Sequence, residues 1–435
     1  MEFKSQPRNV CISTSIAELN FAIEQSATGQ QLFNKVAQTL GLRQTQFFGL
    51  QFTNKKGLTK WLKMEKKVLS QKVKNEEVLH FKLIVKFYPE SVSEELIHGM
   101  TKKLFFFHVE ERVVKDDIYA STGTLLLLAS YSVQAKYGDK NPAVHTKGFL
   151  DIDTLLPQRV IGQFLSKEEW EERILDCWAI HETTFREDAM MEYLKAAQDL
   201  EMYGMNYFEM RNKRNTDLLL GVDAFGLYIF RKDNKLTPQV FFSWSELREI
   251  KWSFNAFIIK PRHRRATKVA FYASKDRIAK EMFNMSVGNH QCFLSRRGPE
   301  SMEVQIMKMQ EEEERLKMEA RRAYLQKEKS ASEAIESQIR ELQAKLQGCE
   351  DELSHTHENI RESEFDALAM ERNIQAKLKA INDKVEAMKK QEQERLTQLD
   401  LIHQENQRKN LSKYLTLKDI RQGNTQARID MFEAM

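Results

Sequence analysis

The chain has 435 residues, 41% of them hydrophobic and 30% charged, with a formal net charge of +4. Such a length fits about two to four folding units, and the apolar content is ordinary enough for a large core. The strongest apolar run, TGTLLLLASY, is far too short to span a bilayer and reads as buried helix, which excludes an integral membrane protein and leaves only peripheral membrane contact.

No signal-peptide pattern opens the sequence. Cys11, Cys177, Cys292 and Cys349 stand far apart and follow no metal or redox spacing, so a reduced, intracellular protein is expected. Charge is unevenly spread. From Gly298 onward there are 23 Lys+Arg against 28 Asp+Glu, a net of about −5, which leaves about +9 on the front. A basic front and an acidic back attract each other, and the front also suits an anionic surface.

In chain order, NVCISTSI and ELNFAIEQ read as paired strands and TGQQLFNKVAQTLGL as an amphipathic helix. FFGLQFTN and LHFKLIVKFYPE read as strands again. Two strands, one helix and two strands resemble a ubiquitin-like unit. From SEELIHGMTKKLFFFHVEERVV to DLEMYG the periodicity is helical, broken at YGDKNPAVHTKG and Pro157. Strand-like runs then recur: MNYFEMRN, DLLLGVD, GLYIFRKD, QVFFSWSEL, REIKWSF, AFIIKP and KVAFYAS. A helix from SKDRIAKEMF to SRR follows. Strands closed by one C-terminal helix are the pleckstrin-homology or phosphotyrosine-binding architecture.

The seven prolines end at Pro299, and composition shifts there to Glu, Lys, Gln, Ala and Leu. Ile335, Ile339, Leu342, Leu346, Cys349 and Leu353 follow a four-three spacing. Ile374, Leu378, Ile381, Val385 and Met388 repeat it, as coiled-coil seams do. Between them the polar SHTHENIRES allows either a bend that folds one helix on the other or a continuous dimerising rod. The sequence closes on KYLTLKDIRQGNTQARIDMFEAM. Thr416 and Asp419 make a capping box, with Leu415 and Ile420 as staple. Gly423 suits a helix stop, and Ile429, Phe432 and Met435 lie on neighbouring turns of a second short helix. Helices this short need a surface to pack on.

Several stretches together resemble the ezrin/radixin/moesin/merlin family: FFGLQF, WLKMEKKV, LLASYSVQAKYGD, LLPQRVI, AQDLEMYGMNYF, GVDAFGLYIF and LTPQVFFSWSELREI in the front, and the closing run at the end. The tail resembles ezrin, radixin and moesin more than merlin, which lacks the IRQGNT run. The middle departs from the family, because the helical segment is shorter and no proline-rich stretch precedes the tail. The resemblance implies a multidomain α+β protein built on a three-lobed FERM domain. Residues 1–87 would be a ubiquitin-like lobe, 88–203 a helical acyl-CoA-binding-protein-like lobe and 204–297 a PH/PTB-like lobe. Residues 298–363 would be a helical coiled-coil linker and 364–435 a helical actin-binding tail. It further implies an autoinhibited linker between cortical actin and the plasma membrane, at the cytoplasmic face of that membrane.

The implied partners are filamentous actin, phosphatidylinositol 4,5-bisphosphate, the cytoplasmic tails of membrane receptors and adhesion proteins, scaffold proteins, and the chain's own tail or a second copy. No nucleic acid and no cofactor are implied. Lys60, Lys63, Lys66 and Lys67 cluster in one region, and Lys260, Arg262, Arg264 and Arg265 in another. Cations beside an anionic leaflet gain roughly 1 kcal/mol each; the alternative is a solubilising surface. By resemblance, Lys63, Lys66 and Lys280 match the family's phosphoinositide pocket between the first and third lobes, and Arg264 and Arg265 match a second basic pair. Glu65 stands where relatives are neutral, and Asn255–Ala256 where they carry two lysines. An extended peptide is expected in a groove between a strand at about 248–255 and the helix at about 276–293. Lys413, Lys418, Arg421 and Arg428 give the tail a cationic face for actin, and Leu417, Ile420, Ile429 and Phe432 are the expected masking contacts. Thr416 matches the threonine whose phosphorylation switches relatives, and a phosphate there is expected to meet Glu246 or Glu249 on the docked surface.

Enzyme signals are weak. HQCFLSRR spaces Cys292 and Arg297 one residue too closely for a phosphate cradle, and there is no Gly-rich phosphate loop. His355 and His357 lack further ligands at metal spacing. A non-enzyme is expected. Two other readings stay open: a merlin-like scaffold without direct actin contact, and a structural coiled coil that the front merely targets.

Overall fold

The computed structural model describes residues 7–74, 76–141, 144–162, 165–263, 267–355, 405–406 and 408–409, with 348–355 described by backbone alone. In the first lobe, β1 (Arg8–Ser13) and β2 (Glu18–Ile23) form a hairpin and α1 (Gly29–Leu40) crosses the sheet. Then β3 (Phe48–Thr53), β4 (Thr59–Trp61) and β5 (Val78–Val85) complete five strands in the order β2-β1-β5-β3-β4. β1 and β5 pair in parallel at the centre, and the other pairs are antiparallel. The sequence TGQQ starts α1 as a capping box, with Thr28 Oγ1 accepting the Gln31 N–H and Gln31 Oε1 accepting the Thr28 N–H. Gly41, at φ 67°, ends it. The apolar stripe Leu32, Phe33 and Val36 packs into the same core as Ile12, Leu50, Phe81 and Leu83. The short strand β4 was not expected; three residues are too few to show a period of two.

The second lobe is helical: α2 (Val92–Glu95), α3 (Gly99–Val114), α4 (Thr122–Tyr137), α5 (Gln158–Ile161), α6 (Lys167–Ala179) and α7 (Arg186–Gln198). The expected long helix from SEELIHG breaks between α2 and α3. There Gln44 of the first lobe accepts the Ile97 and His98 N–H groups, at 2.9 Å each, and donates to the Glu95 carbonyl at 2.6 Å. The break after α4 falls where YGDKNP placed it, at Gly138 with φ 81°. The buried Glu171 carboxylate then collects the N–H groups of Gly148 and Leu150, so a charge inside the lobe is satisfied by backbone donors.

The third lobe strings β6 (Asn206–Arg211), β7 (Asp217–Val222), β8 (Gly226–Arg231), β9 (Val240–Ser243), β10 (Leu247–Ser253), β11 (Ala256–Pro261) and β12 (Val269–Tyr272) before α8 (Asp276–Arg296). The sheet order is β10-β11-β12-β6-β7-β8-β9. Strand alternation sends Leu218, Leu220, Leu227 and Ile229 to the face under α8, while Leu219, Tyr228 and Phe230 build a separate apolar cluster. That is why β7 and β8 read as near-continuous apolar runs.

The second compact unit begins at Ser301. Its described part is α9 (Met302–His355), a single helix of 54 residues laced with i,i+4 ion pairs such as Lys317–Glu313 and Lys345–Glu341. Ile335, Ile339, Leu342 and Leu346 of the first expected seam are exposed along it. The helix runs unbroken through Ser354 and His355, so any bend in SHTHENIRES begins later, outside the described residues. Among the described residues, no helix is long and apolar enough to cross a membrane.

Candidate functional site

The basic loop after β4 is anchored on both sides. Leu62 is buried and Met64 packs against the first-lobe core, while Lys63, Glu65, Lys66 and Lys67 are exposed between and beyond them. The Gln71 side chain accepts the Lys63 N–H at 2.8 Å and donates to the carbonyls of Lys63 at 2.8 Å and Lys66 at 3.1 Å. The N–H groups of Gly29 and Gln30, at the start of α1, bond to the Lys66 and Met64 carbonyls, each at 2.9 Å. The approach is close enough that a Cβ on Gly29 would meet Lys63 O at 2.4 Å. Lys63 and Lys66 thus project from a fixed backbone.

Across from this loop stands α8. Trp61 and Phe87 of the first lobe pack on the third-lobe core. Phe87 lies against Gly288, where a Cβ would meet its ring at 2.2 Å. Lys86 covers both aromatic faces, 5.4 Å from the Trp61 centroid and 4.9 Å from that of Phe87, and burial lowers its pKa. Glu281 of α8 has its pKa raised by desolvation against the pull of Arg277 and of Lys60. Lys60, beside the lysine loop, and α8 therefore face one another across a seam between the first and third lobes, while Lys280, the residue of α8 just before Glu281, lies against the third lobe's own β10. Lys280 Nζ sits 4.4 Å from the centroid of Trp252, whose indole N–H is shared between Phe254 O at 2.7 Å and Asp276 Oδ1 at 3.0 Å. Gln71, Trp252 and Glu281 were not legible as site residues. The signal for Trp252 was its place four residues before the next strand, facing a helix whose position only the fold reveals.

The strand and helix expected to wall a peptide groove are present, with the strand ending at Ser253 instead of about 255. Among the described residues β10 pairs only with β11 in the sheet; it runs beside α8, and it stops at Ser253 because Phe254–Asn255 make a two-residue turn with Ser253 opposite Ala256. Lys260 lies opposite Glu249 on β10. The Glu249 carboxylate pairs with Lys251 at 2.7 Å, and that hydrogen bond holds its pKa below the ordinary value. The Glu246 carboxylate accepts the Ser243 N–H at 3.2 Å. Both acids have partners within the lobe, and Thr416, the residue expected to bring a phosphate to them, lies outside the described residues. A mixed-charge cleft of volume ≈ 680 Å³ opens beside Arg211, Lys213, Lys232 and Asn255. Arg211 is paired there with Asp217 at 2.7 Å and Lys232 with Glu209 at 3.6 Å.

Among the described residues, Asn406 joins the far end of the chain to this lobe. Asn406 is 8% exposed, and its Nδ2 donates to Thr237 Oγ1 at 3.0 Å in the loop between β8 and β9. Thr237 is itself set by the Asn234 side chain, which accepts the Thr237 N–H at 3.1 Å. Neither residue stood out in the sequence, since an Asn in QENQRKN looks like solvated helix. Arg264, Arg265, Lys413, Thr416, Leu417, Lys418, Ile420, Arg421, Arg428, Ile429 and Phe432 lie outside the described residues, as does His357. Cys292 lies within α8 and burial raises its thiol pKa, the reverse of what a nucleophilic thiolate needs. Among the described residues, no His, Cys, Asp or Glu cluster is arranged to hold a metal.

Family models match along the chain in this order: the FERM N-terminal domain at 17–74, the FERM central domain at 91–208, the FERM C-terminal PH-like domain at 212–301, and the ezrin/radixin/moesin family C terminal at 357–435. Moesin/ezrin/radixin homolog 1 of Culex quinquefasciatus is 48% identical over 81% of this chain and 62% of its own length. The Aedes aegypti protein of the same name is 48% identical over 82% and 61%. The chain thus spans about three fifths of the length of these relatives. Among solved structures, the complex of the FERM and C-terminal domains of Drosophila merlin aligns with a TM-score of 0.65 at 40% identity, covering 67% of this chain and 97% of that one. A Dictyostelium discoideum myosin VII MyTH4-FERM domain, at 16% identity and a TM-score of 0.52 over 67% of this chain and 60% of that one, shares the fold alone. Three FERM lobes in sequence, followed in the same chain by the family's own C-terminal region, place this chain in the ezrin/radixin/moesin family.

Proposed function

We propose that the protein is a non-catalytic linker between the plasma membrane and cortical actin, held in check by contact between its tail and its FERM lobes. The front carries about nine excess positive charges, with Lys63 and Lys66 exposed on the first lobe and Lys280 on α8 of the third. This charge favours the inositol phospholipid headgroups of the inner leaflet. The open edge of β10 beside α8 suits an added strand from the cytoplasmic tail of a membrane protein. The tail, with Lys413, Lys418, Arg421 and Arg428, suits acidic actin.

The observation that carries the masking is the Asn406–Thr237 pair, a part-buried contact between the 364–435 tail and the third lobe. The merlin structure, a complex of FERM and C-terminal domains, supports the same pairing. Release follows phosphorylation at Thr416 together with lipid. A dianion costs more to desolvate than a hydroxyl, so the phosphate disfavours the docked state while remaining compatible with a helix N-terminus. Co-sedimentation with filamentous actin tests this reading. Residues 364–435 should pellet with actin while the full chain does so poorly, and Thr416→Asp should restore pelleting of the full chain. Whatever frees the tail must also free the lobes. Equal actin affinity of full chain and tail would remove the masking; no pelleting of the tail would favour a merlin-like scaffold.

A further inference from the structure

We propose that Phe254, at the tip of the β10–β11 hairpin, is an aromatic anchor that inserts into the interface of an anionic bilayer. The inference deepens the lipid-binding reading above and rests on it. Phe254 is 79% exposed, equal with Ile180 as the most exposed large apolar side chain in the described part of the three lobes. It also holds a backbone conformation that a bulky residue avoids, φ 53°, at the first position of a two-residue turn. A two-residue hairpin with positive φ at its first position favours glycine there. Strain of this kind persists where the surroundings impose it, and it gathers at binding sites. Nothing in the hairpin's packing rewards a phenyl ring left in water.

The surroundings specify the ligand. The Phe254 carbonyl takes the Trp252 indole N–H at 2.7 Å, and Lys280 Nζ lies 4.4 Å from the Trp252 ring centroid. The turn's backbone thus ties Phe254 to Trp252, and the ammonium lies against the indole, which puts an apolar residue at the tip and a cation behind it. That is the order of groups met on passing from acyl chains to phosphate headgroups. Two carboxylates stand near. Asp276 accepts a hydrogen bond from the neutral Trp252 indole and keeps its negative charge, whereas Glu249 is paired with Lys251. The Asn255 carbonyl accepts the Ala273 N–H at 2.9 Å, which fixes the turn against the end of β12 and makes the tip a rigid wedge.

Binding of the full-length chain to vesicles of phosphatidylcholine, with and without phosphatidylinositol 4,5-bisphosphate, tests the anchor. Phe254→Gly should weaken binding to the anionic vesicles about tenfold, and the fold loss should hold as salt rises. Lys280→Gln should also weaken binding, with a loss that shrinks in salt. Phe254→Trp should bind like the wild type, shift its emission to the blue on binding, and be quenched by brominated acyl chains. If Phe254→Gly binds like the wild type, the anchor is wrong and the lipid site stands. If Phe254→Trp on bound protein keeps the emission of a water-exposed indole, the tip meets a surface without entering it, and insertion is overturned. If the wild type binds no anionic vesicles, the lipid-binding reading falls and the anchor with it.

Discussion

Single residues set the conditions under which the lobes hold. His108 is buried in α3, its Nδ1 without a hydrogen-bond partner among the described residues, and its pKa is lowered to about 3, first by burial and then by Arg112. The unfolded chain takes up this proton near pH 6.5 and the folded chain refuses it until about pH 3. Stability is therefore intact above pH 6.5 and declines through that window as pH falls, with a slope that approaches about 1.4 kcal/mol per pH unit. His108→Gln should flatten the acid limb of a plot of melting temperature against pH between 6 and 4, and an unchanged limb would assign it to other groups. Phe254 makes a complementary case. Glycine adopts its φ without a Cβ penalty of roughly 1–2 kcal/mol. Phe254→Gly should thus melt at or above the wild-type temperature; a clear fall would mean that the ring packs inside the protein.

At the scale of elements, the seam between the first and third lobes depends on a missing side chain. Gly288 on α8 admits the Phe87 ring, and Gly288→Ala should cost about 1–3 kcal/mol by forcing that ring off its seat. If calorimetry shows no loss, Phe87 has room to turn aside. Most strands and helices of the three lobes were legible because alternation and capping are local signals, as TGQQ at the start of α1 shows, but the three-residue β4 was not. What stayed hidden was non-local. The break between α2 and α3 is made by Gln44, more than fifty residues away, and no window around Ile97 contains it. The candidate site divides in the same way. Lys63 and Lys66 were readable as a basic run, whereas Trp252 under Lys280, and Asn406 on Thr237, depend on tertiary contacts that no spacing encodes.

For the whole molecule, chain length constrains the path between two fixed points. The chain leaves the three-lobed unit after Glu300 and meets it again at Asn406. Outbound, the 54 residues of α9 rise about 80 Å at 1.5 Å each. The fifty residues from 356 to 405 span about 75 Å if helical, which is nearly the same distance back. Of the two readings the sequence leaves open, these matched lengths agree with the hairpin, whose test is whether the chain stays monomeric. Sedimentation velocity should show a monomer with dilution-independent helicity, and a dimer that loses helicity on dilution would favour the rod. The arginines at the end of α8 add a mechanical consequence. Arg296 bonds to Glu95 at 2.6 Å and to the Tyr88 carbonyl at 2.8 Å, and Arg297 to Glu90 at 2.8 Å. They tie the last turn before the long helix to the strip joining the first two lobes. In the proposed linker, tension drawn along the chain reaches the folded lobes at this tie, where α8 is bonded to the strip between the first two lobes, and is shared among all three.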